Sequence, residues 1–193
     1  SVEARDRARG VLREHGIGGL IVIGGNGSLA GALALSDPQE GGELAPSVIG
    51  IPASIDNDIG LTGMSIGVDT AMNTIVEACD KISDTANAHD RTFIVEVMGR
   101  HCGYLAMTAG IASGADLVLF PEAGRPPGEI VESAVKAVLG KQDASGQVGS
   151  TLIIKAEGVE IPTDELKSRL DARLDEELGV KANTIEPRVT VLG

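Results

Sequence analysis

The chain has 193 residues, 42% of them hydrophobic and 23% charged, with a formal net charge of −12. This mix excludes a disordered segment and supplies enough apolar material for one ordinary domain or two small lobes. An acidic chain gains no counterion-release affinity for nucleic acid, and two Phe, one Tyr and no Trp leave no platform for stacking bases.

From Ser1 the chain opens as an amphipathic, charged, helix-like stretch, unlike a signal peptide. No apolar run reaches the roughly 20 residues of a membrane span. Leu20-Ile21-Val22-Ile23 reads as a buried strand, followed by Gly24-Gly25-Asn26-Gly27 and then helical spacing over about 28–35. Residues 37–46 read as a surface loop, and Val48-Ile49-Gly50-Ile51 as the next strand, ended by Pro52. A long helix is expected over 67–88, where Ala71, Ile75, Ala78, Cys79 and Ile82 recur every three to four residues. A strand over 92–97, a Gly- and Ala-rich helix over 101–113 and a strand over 116–120 follow. Then come a helix over 127–139, with a proline near its start, a polar loop over 140–149 and a strand over 151–154. An acidic helix opens at Thr163, and a strand over 186–191 closes the chain. Strand and helix alternate throughout, which implies an α/β fold with a mostly parallel sheet and helices on both faces. Ligands of such sheets gather beyond the carboxyl ends of the strands, so the loops there are the places to search.

Two such loops stand out. Gly24-Gly25-Asn26-Gly27-Ser28 joins a strand to a helix; its glycines admit a phosphate to the backbone, and free amides at the helix start favour an anion. A tight turn with no ligand has the same composition. Ser54-Ile55-Asp56-Asn57-Asp58 places aspartates two apart, so one can take a proton from an attacking hydroxyl while the other helps hold a metal. The same residues also serve as ordinary turn formers. Arg100, after the 92–97 strand, suits phosphate binding, whereas Arg91 and Arg188 read individually as surface charges. Glu157 can accept from sugar hydroxyls or be a surface acid. His15, His89 and His101 form no metal pattern and read as structural. Cys79 and Cys102, both in segments read as helical, lack metal-type spacing and point to reduced cytosolic thiols.

Taken together and in order, these pieces resemble the phosphofructokinase family. The resemblance rests on Gly-Gly-Asn-Gly-Ser at 24–28, Ser-Ile-Asp-Asn-Asp at 54–58, Val-Met-Gly-Arg at 97–100 and Ala-Glu-Gly at 156–158. Ile66-Gly67-Val68-Asp69-Thr70-Ala71 and His89-Asp90-Arg91 extend it over nearly the whole chain. It implies a three-layer fold of Rossmann-like lobes, with 1–66 part of a large, ATP-side lobe and 67–193 a small, fructose 6-phosphate-side lobe. It implies phosphoryl transfer from ATP, with Mg2+, to the 1-hydroxyl of fructose 6-phosphate in glycolysis. On that resemblance Asp56 is the general base, Asp58 supports magnesium and the moving phosphate, and the Ser54 hydroxyl lies near the transferred group. Gly25, Asn26, Gly27 and Ser28 belong to the nucleotide side. Met98, Gly99 and Arg100 close around the sugar phosphate, and Glu157 binds sugar hydroxyls. Arg91 and Arg188 match arginines that reach the sugar phosphate of a neighbouring subunit, so the family's working form is a cytoplasmic homo-oligomer. Phosphoryl transfer asks for positioning and charge neutralisation more than a strong base, so an Asp of ordinary pKa, about 3.9, suffices. Gly27 and Ala53 match ATP users; pyrophosphate users tend to carry Asp and Lys there.

The departures are informative. Position 26 is Asn where the family usually has a metal-binding Asp, so weaker magnesium binding is expected. The family's ATP-gripping loop and its later His and Arg motif have no counterpart between Ser1 and Gly193, so a central fragment, inactive alone and at most binding sugar phosphate, is the alternative expectation. A sugar-phosphate sensor would need neither Asp56 nor Asp58. Glu122 matches an effector-side acid, but Ser83 and the uncharged run 145–150 stand where basic partners belong.

Overall fold

The computed structural model describes residues 1–179, 185 and 187–193. Glu186, expected to open the last strand, lies outside them. Contacts group the chain into two units, Ser1–Ser54 with Asp58–Gly67, and Ile55–Asn57 with Val68–Gly193.

In the first unit, helix α1 (Val2–Glu14) precedes strand β1 (Gly19–Gly24), helix α2 (Asn26–Leu35), a short α3 (Pro38–Gly41) and β2 (Ser47–Pro52). The strands pair in parallel from Gly19 with Ser47 to Gly24 with Pro52, and α2 packs on both. Parallel strands need a crossover, and α2 supplies it. Arg9 is buried because its Nε and Nη2 donate to the carbonyls of Leu35 and Ala34, closing the end of α2 where carbonyls lack helical partners. Two expectations change here. Residues 37–46 are not all loop: Pro38 at the first helical position and Asp37 accepting from Gln39 N start a short helix, and a 3-10 turn follows over Gly42–Leu44. Nor is β1 buried on both faces, since Ile21 and Ile23 are exposed while Leu20 and Val22 are half-buried.

The second unit contains α4 (Val68–His89), β3 (Thr92–Val97), α5 (Tyr104–Ser113), β4 (Leu117–Leu119), α6 (Pro127–Leu139), β5 (Thr151–Ala156), α7 (Thr163–Leu178) and β6 (Arg188–Leu192). Its described strands run in the order β4-β5-β3-β6, all parallel. Helix α4 packs against α5 and α6 against α7, and β5 is buried at every residue, so helices cover both faces. Ile94, Val95, Ile153, Ile154, Leu105, Leu166 and Leu170 form the centre of the core.

An ion pair reaches from that core toward solvent. Lys155 on β5 is 1% exposed and its Nζ lies 3.1 Å from Glu96 Oε2 on the neighbouring β3. The Thr163 hydroxyl donates to the same oxygen. Burial opposes ionisation of Glu96, but the Thr163 hydroxyl and the Lys155 ammonium outweigh it and hold the carboxyl below its usual range.

The helix expected from 101 begins at Tyr104, because Gly103 is its N-cap; Cys102 therefore lies in a turn, not a helix. The 116–120 strand narrows to Leu117–Leu119, with Pro121 entering a 3-10 turn over Pro121–Ala123. Among the described residues no helix is long and apolar enough to cross a membrane.

Candidate functional site

In the first unit the carboxyl ends of β1 and β2 lead into residues 24–28 and into Ser54, which opens the 54–58 loop. Gly24 is required sterically: a Cβ there would stand 2.7 Å from Ser28 Cβ. The turn feeds α2, whose N-cap, Gly25, offers no side-chain hydrogen bond to the first helical amides. Those amides, Gly27 and Ser28 among them, are the anion-favouring end of the helix. A Cβ on Gly27 would meet nothing within 4 Å. Ser54 is anchored by its amide, which donates to the buried Ser65 hydroxyl at 2.8 Å, and a Cβ on Gly25 would lie 3.5 Å from Ser54 Cβ.

Asn26 and Asp58 come together. Asn26 Nδ2 donates to Asp58 Oδ2 at 2.7 Å, while Asp58 Oδ1 is buried with no hydrogen-bond partner. A buried carboxylate oxygen without a donor is costly unless a cation or donor arrives. That oxygen fits a magnesium ion, a hard cation that takes one or two carboxylates and completes its shell from phosphates and water. The described residues hold no group of three or more His, Cys, Asp or Glu able to bind a metal. Asn at 26 replaces what would be carboxylate against carboxylate by a donor facing an acceptor.

In the second unit Asp56 is buried in the turn over 55–57, where Asn57 has φ +53°. The Cys102 thiol approaches the Asn57 carbonyl at 3.9 Å, so this turn adjoins the loop after β3. That loop is tightly held. Gly99 has φ +141° and Arg100 φ +52°, the latter uncommon for a residue with a side chain. Glu157, just after β5, accepts from Gly99 N at 3.1 Å and Arg100 N at 2.6 Å through one oxygen, Oε1. A Cβ on Gly158 would stand 1.9 Å from the Arg100 carbonyl oxygen, so only glycine lets the β5 end pass beneath the loop. Met98 and Arg100 are exposed and Gly99 is buried: the backbone is fixed and the two side chains face outward. The result is a rigid backbone frame that presents an exposed guanidinium able to pair with an anionic group.

Arg91 and Arg188 are not part of that frame. They stand at the amino ends of β3 and β6, with Arg188 opposite Phe93, whereas Met98, Arg100 and Glu157 follow carboxyl ends. A six-residue strand, about 20 Å, separates them.

Glu122, Gly103 and Gly158 shape the site without having been singled out for that role. Gly103 N donates to Glu122 Oε1 at 2.8 Å. The glycine in Ala-Glu-Gly was visible in the sequence, but nothing local marks an acid 19 residues away as the acceptor for a helix start.

The phosphofructokinase family model matches residues 1–193. Over 120 residues, 62% of this chain and 36% of the relative, the chain is 54% identical to the ATP-dependent 6-phosphofructokinase of Thermotoga neapolitana. Over all 193 residues, and 54% of the relative, it is 42% identical to that of Bacillus pumilus. The solved phosphofructokinase of Saccharomyces cerevisiae superposes with a TM-score of 0.82 at 34% identity, covering 100% of this chain and 27% of that one. The chain thus spans about half or less of the length of these proteins.

Proposed function

The chain belongs to the phosphofructokinase family, and from that premise we propose that its residues serve phosphoryl transfer from ATP to the 1-hydroxyl of fructose 6-phosphate. The observation that carries this reading is the buried, partnerless Asp58 Oδ1 beside Asn26, in the loop where a kinase needs to fasten a cation.

On this reading the first unit supplies the donor side. Gly25, Asn26, Gly27 and Ser28 receive phosphate at the start of α2, and the Ser54 hydroxyl orients the transferred group. Asn26 and Asp58 would hold magnesium, which supplies neutralisation of phosphate charge when bound. The second unit supplies the acceptor side. Arg100 pairs with the sugar phosphate, Met98 and Gly99 enclose it, and Glu157 Oε2 accepts from a sugar hydroxyl while Oε1 keeps the loop amides. Asp56 takes the proton of the 1-hydroxyl as that oxygen bonds to the γ-phosphorus; the bond to the β–γ bridging oxygen breaks and ADP leaves. Arg91 and Arg188, remote from this frame in their own chain, reach the sugar phosphate of a neighbouring copy in a homo-oligomer. The two units correspond to parts of a larger ATP-side lobe and a smaller sugar-side lobe, and the setting is cytoplasmic glycolysis.

A second reading is sugar-phosphate binding without turnover, which needs only the fixed loop after β3 and its outward-facing Arg100. One experiment separates them. The chain is titrated with fructose 6-phosphate by calorimetry and then assayed with ATP and Mg2+ for fructose bisphosphate. Product abolished by Asp56→Asn supports transfer, and binding weakened by Arg100→Ala without product supports the second reading. Absence of both binding and product sinks both.

A further inference from the structure

The loop after β3 is fastened at both ends by carboxylates that follow two other strands. At its start Gly99 N and Arg100 N donate to Glu157, after β5. At its finish Gly103 N donates to Glu122 Oε1 at 2.8 Å, after β4. Between them Cys102 N donates to the Gly99 carbonyl at 2.8 Å and closes the turn. Glu122 itself rides on the 3-10 turn Pro121–Ala123, braced by Ala123 N on the Phe120 carbonyl and Gly124 N on the Pro121 carbonyl. The fit is close: a Cβ on Gly103 would stand 2.3 Å from Phe120 Cβ and 2.7 Å from Glu122 Oε2.

We propose that Glu122 is a positioning residue for sugar-phosphate binding, acting through the Gly103 amide to hold the loop that presents Met98 and Arg100. The inference rests on the acceptor-side reading above. An isolated turn with Arg100 at φ +52° relaxes toward ordinary backbone conformations unless both ends are pinned. Glu157 pins one end and Glu122 the other, and the negative carboxylate also suits the amino end of α5. What the pin requires is an acceptor oxygen at the right reach; its charge is secondary. That separates this role from recognition of a charged effector, which depends on the charge.

Three variants of the full chain test it: Glu122→Ala, Glu122→Gln and Glu122→Asp. Gln keeps an acceptor at the same reach without charge, and Asp keeps the charge but draws the oxygen back. Two measurements are made, hydrogen exchange of peptides covering 98–107 without ligand, and calorimetric affinity for fructose 6-phosphate. Exchange in Ala and Asp should rise about tenfold, with Gln within about threefold of the parent chain. Affinity should follow the same order, Gln retaining it and Ala and Asp losing about tenfold. Gln behaving like Ala, or Ala leaving exchange over 98–107 unchanged, overturns the proposal. Should Ala not fold, the contrast between Gln and Asp decides. If the parent chain binds no sugar phosphate, the functional reading fails while the exchange order still judges the pin.

Discussion

Strands β1 and β5 are both short apolar runs in parallel pairs, Gly-Leu-Ile-Val-Ile-Gly and Thr-Leu-Ile-Ile-Lys-Ala. Their surroundings differ. Every residue of β5 is buried, whereas Ile21 and Ile23 on β1 and Ile49 on β2 are 67%, 62% and 64% exposed. In the first unit α2 covers one face of the sheet; in the second, two helix pairs cover both. An apolar run therefore states that a strand can be covered on both faces without stating that it is. The second unit tolerates even a lysine at its centre, because Glu96 and Thr163 are there to receive it.

The sharpest way to break this contrast is a matched truncation. Ile154→Ala removes a fully buried side chain and should cost about 4 kcal/mol in urea denaturation followed by circular dichroism. Ile23→Ala removes one already in water and should cost no more than about 0.5 kcal/mol. Equal losses would mean that the β1–β2 sheet is covered in solution and that the two units do not differ.

A somewhat smaller effect is expected from the buried ion pair. Glu96→Gln leaves the Lys155 ammonium without its counter-charge in the interior and should cost about 3 kcal/mol at neutral pH, the low end for breaking such a pair because Glu96 keeps some solvent contact. Adding Lys155→Met should recover most of it. The pH dependence has a definite sign. The folded-state pKa of Glu96 lies below its ordinary value of 4.5, so its stabilisation is complete above that value and is lost as pH falls through the lowered one. The gap between parent and Glu96→Gln should therefore close on acidification. A gap unchanged by acidification all the way to the acid unfolding of the parent chain would show that the charge of Glu96 contributes nothing.

Most of the strand and helix order was legible because it rests on periodicity. The 92–97 strand and the 127–139 helix have the bounds their patterns suggest, and Gly103, the glycine before α5, moved a helix start by three residues. Coverage of β1 was not legible, since exposure depends on what packs beside a strand rather than on the strand. The loops carrying Asn26, Asp58, Arg100 and Glu157 could be located from glycines and charges after strands. What could not be read was which atom meets which. Glu157 accepts two amides through one oxygen, and Asn26 turns its nitrogen rather than its oxygen toward Asp58. Both follow from backbone positions set by pairings 57 and 32 residues apart.

The smallest effect belongs to the first unit and concerns that last contact. Asn26→Asp exchanges a hydrogen bond for two carboxylates in contact, with Asp58 Oδ1 already lacking a partner. Without divalent cations the variant should lose about 1 kcal/mol, through a missing donor and like-charge repulsion at a partly exposed position. Magnesium should reverse the sign. Two carboxylates bind a hard dication better than a carboxylate and an amide, so millimolar Mg2+ should raise the melting temperature of the variant more than that of the parent chain. Calcium, larger and tolerant of irregular shells, should do the same less selectively, which makes the two ions a useful pair. If Mg2+ stabilises the parent and the variant equally, position 26 does not face the metal, and the unpaired oxygen of Asp58 must be answered by something other than a cation held between these two side chains.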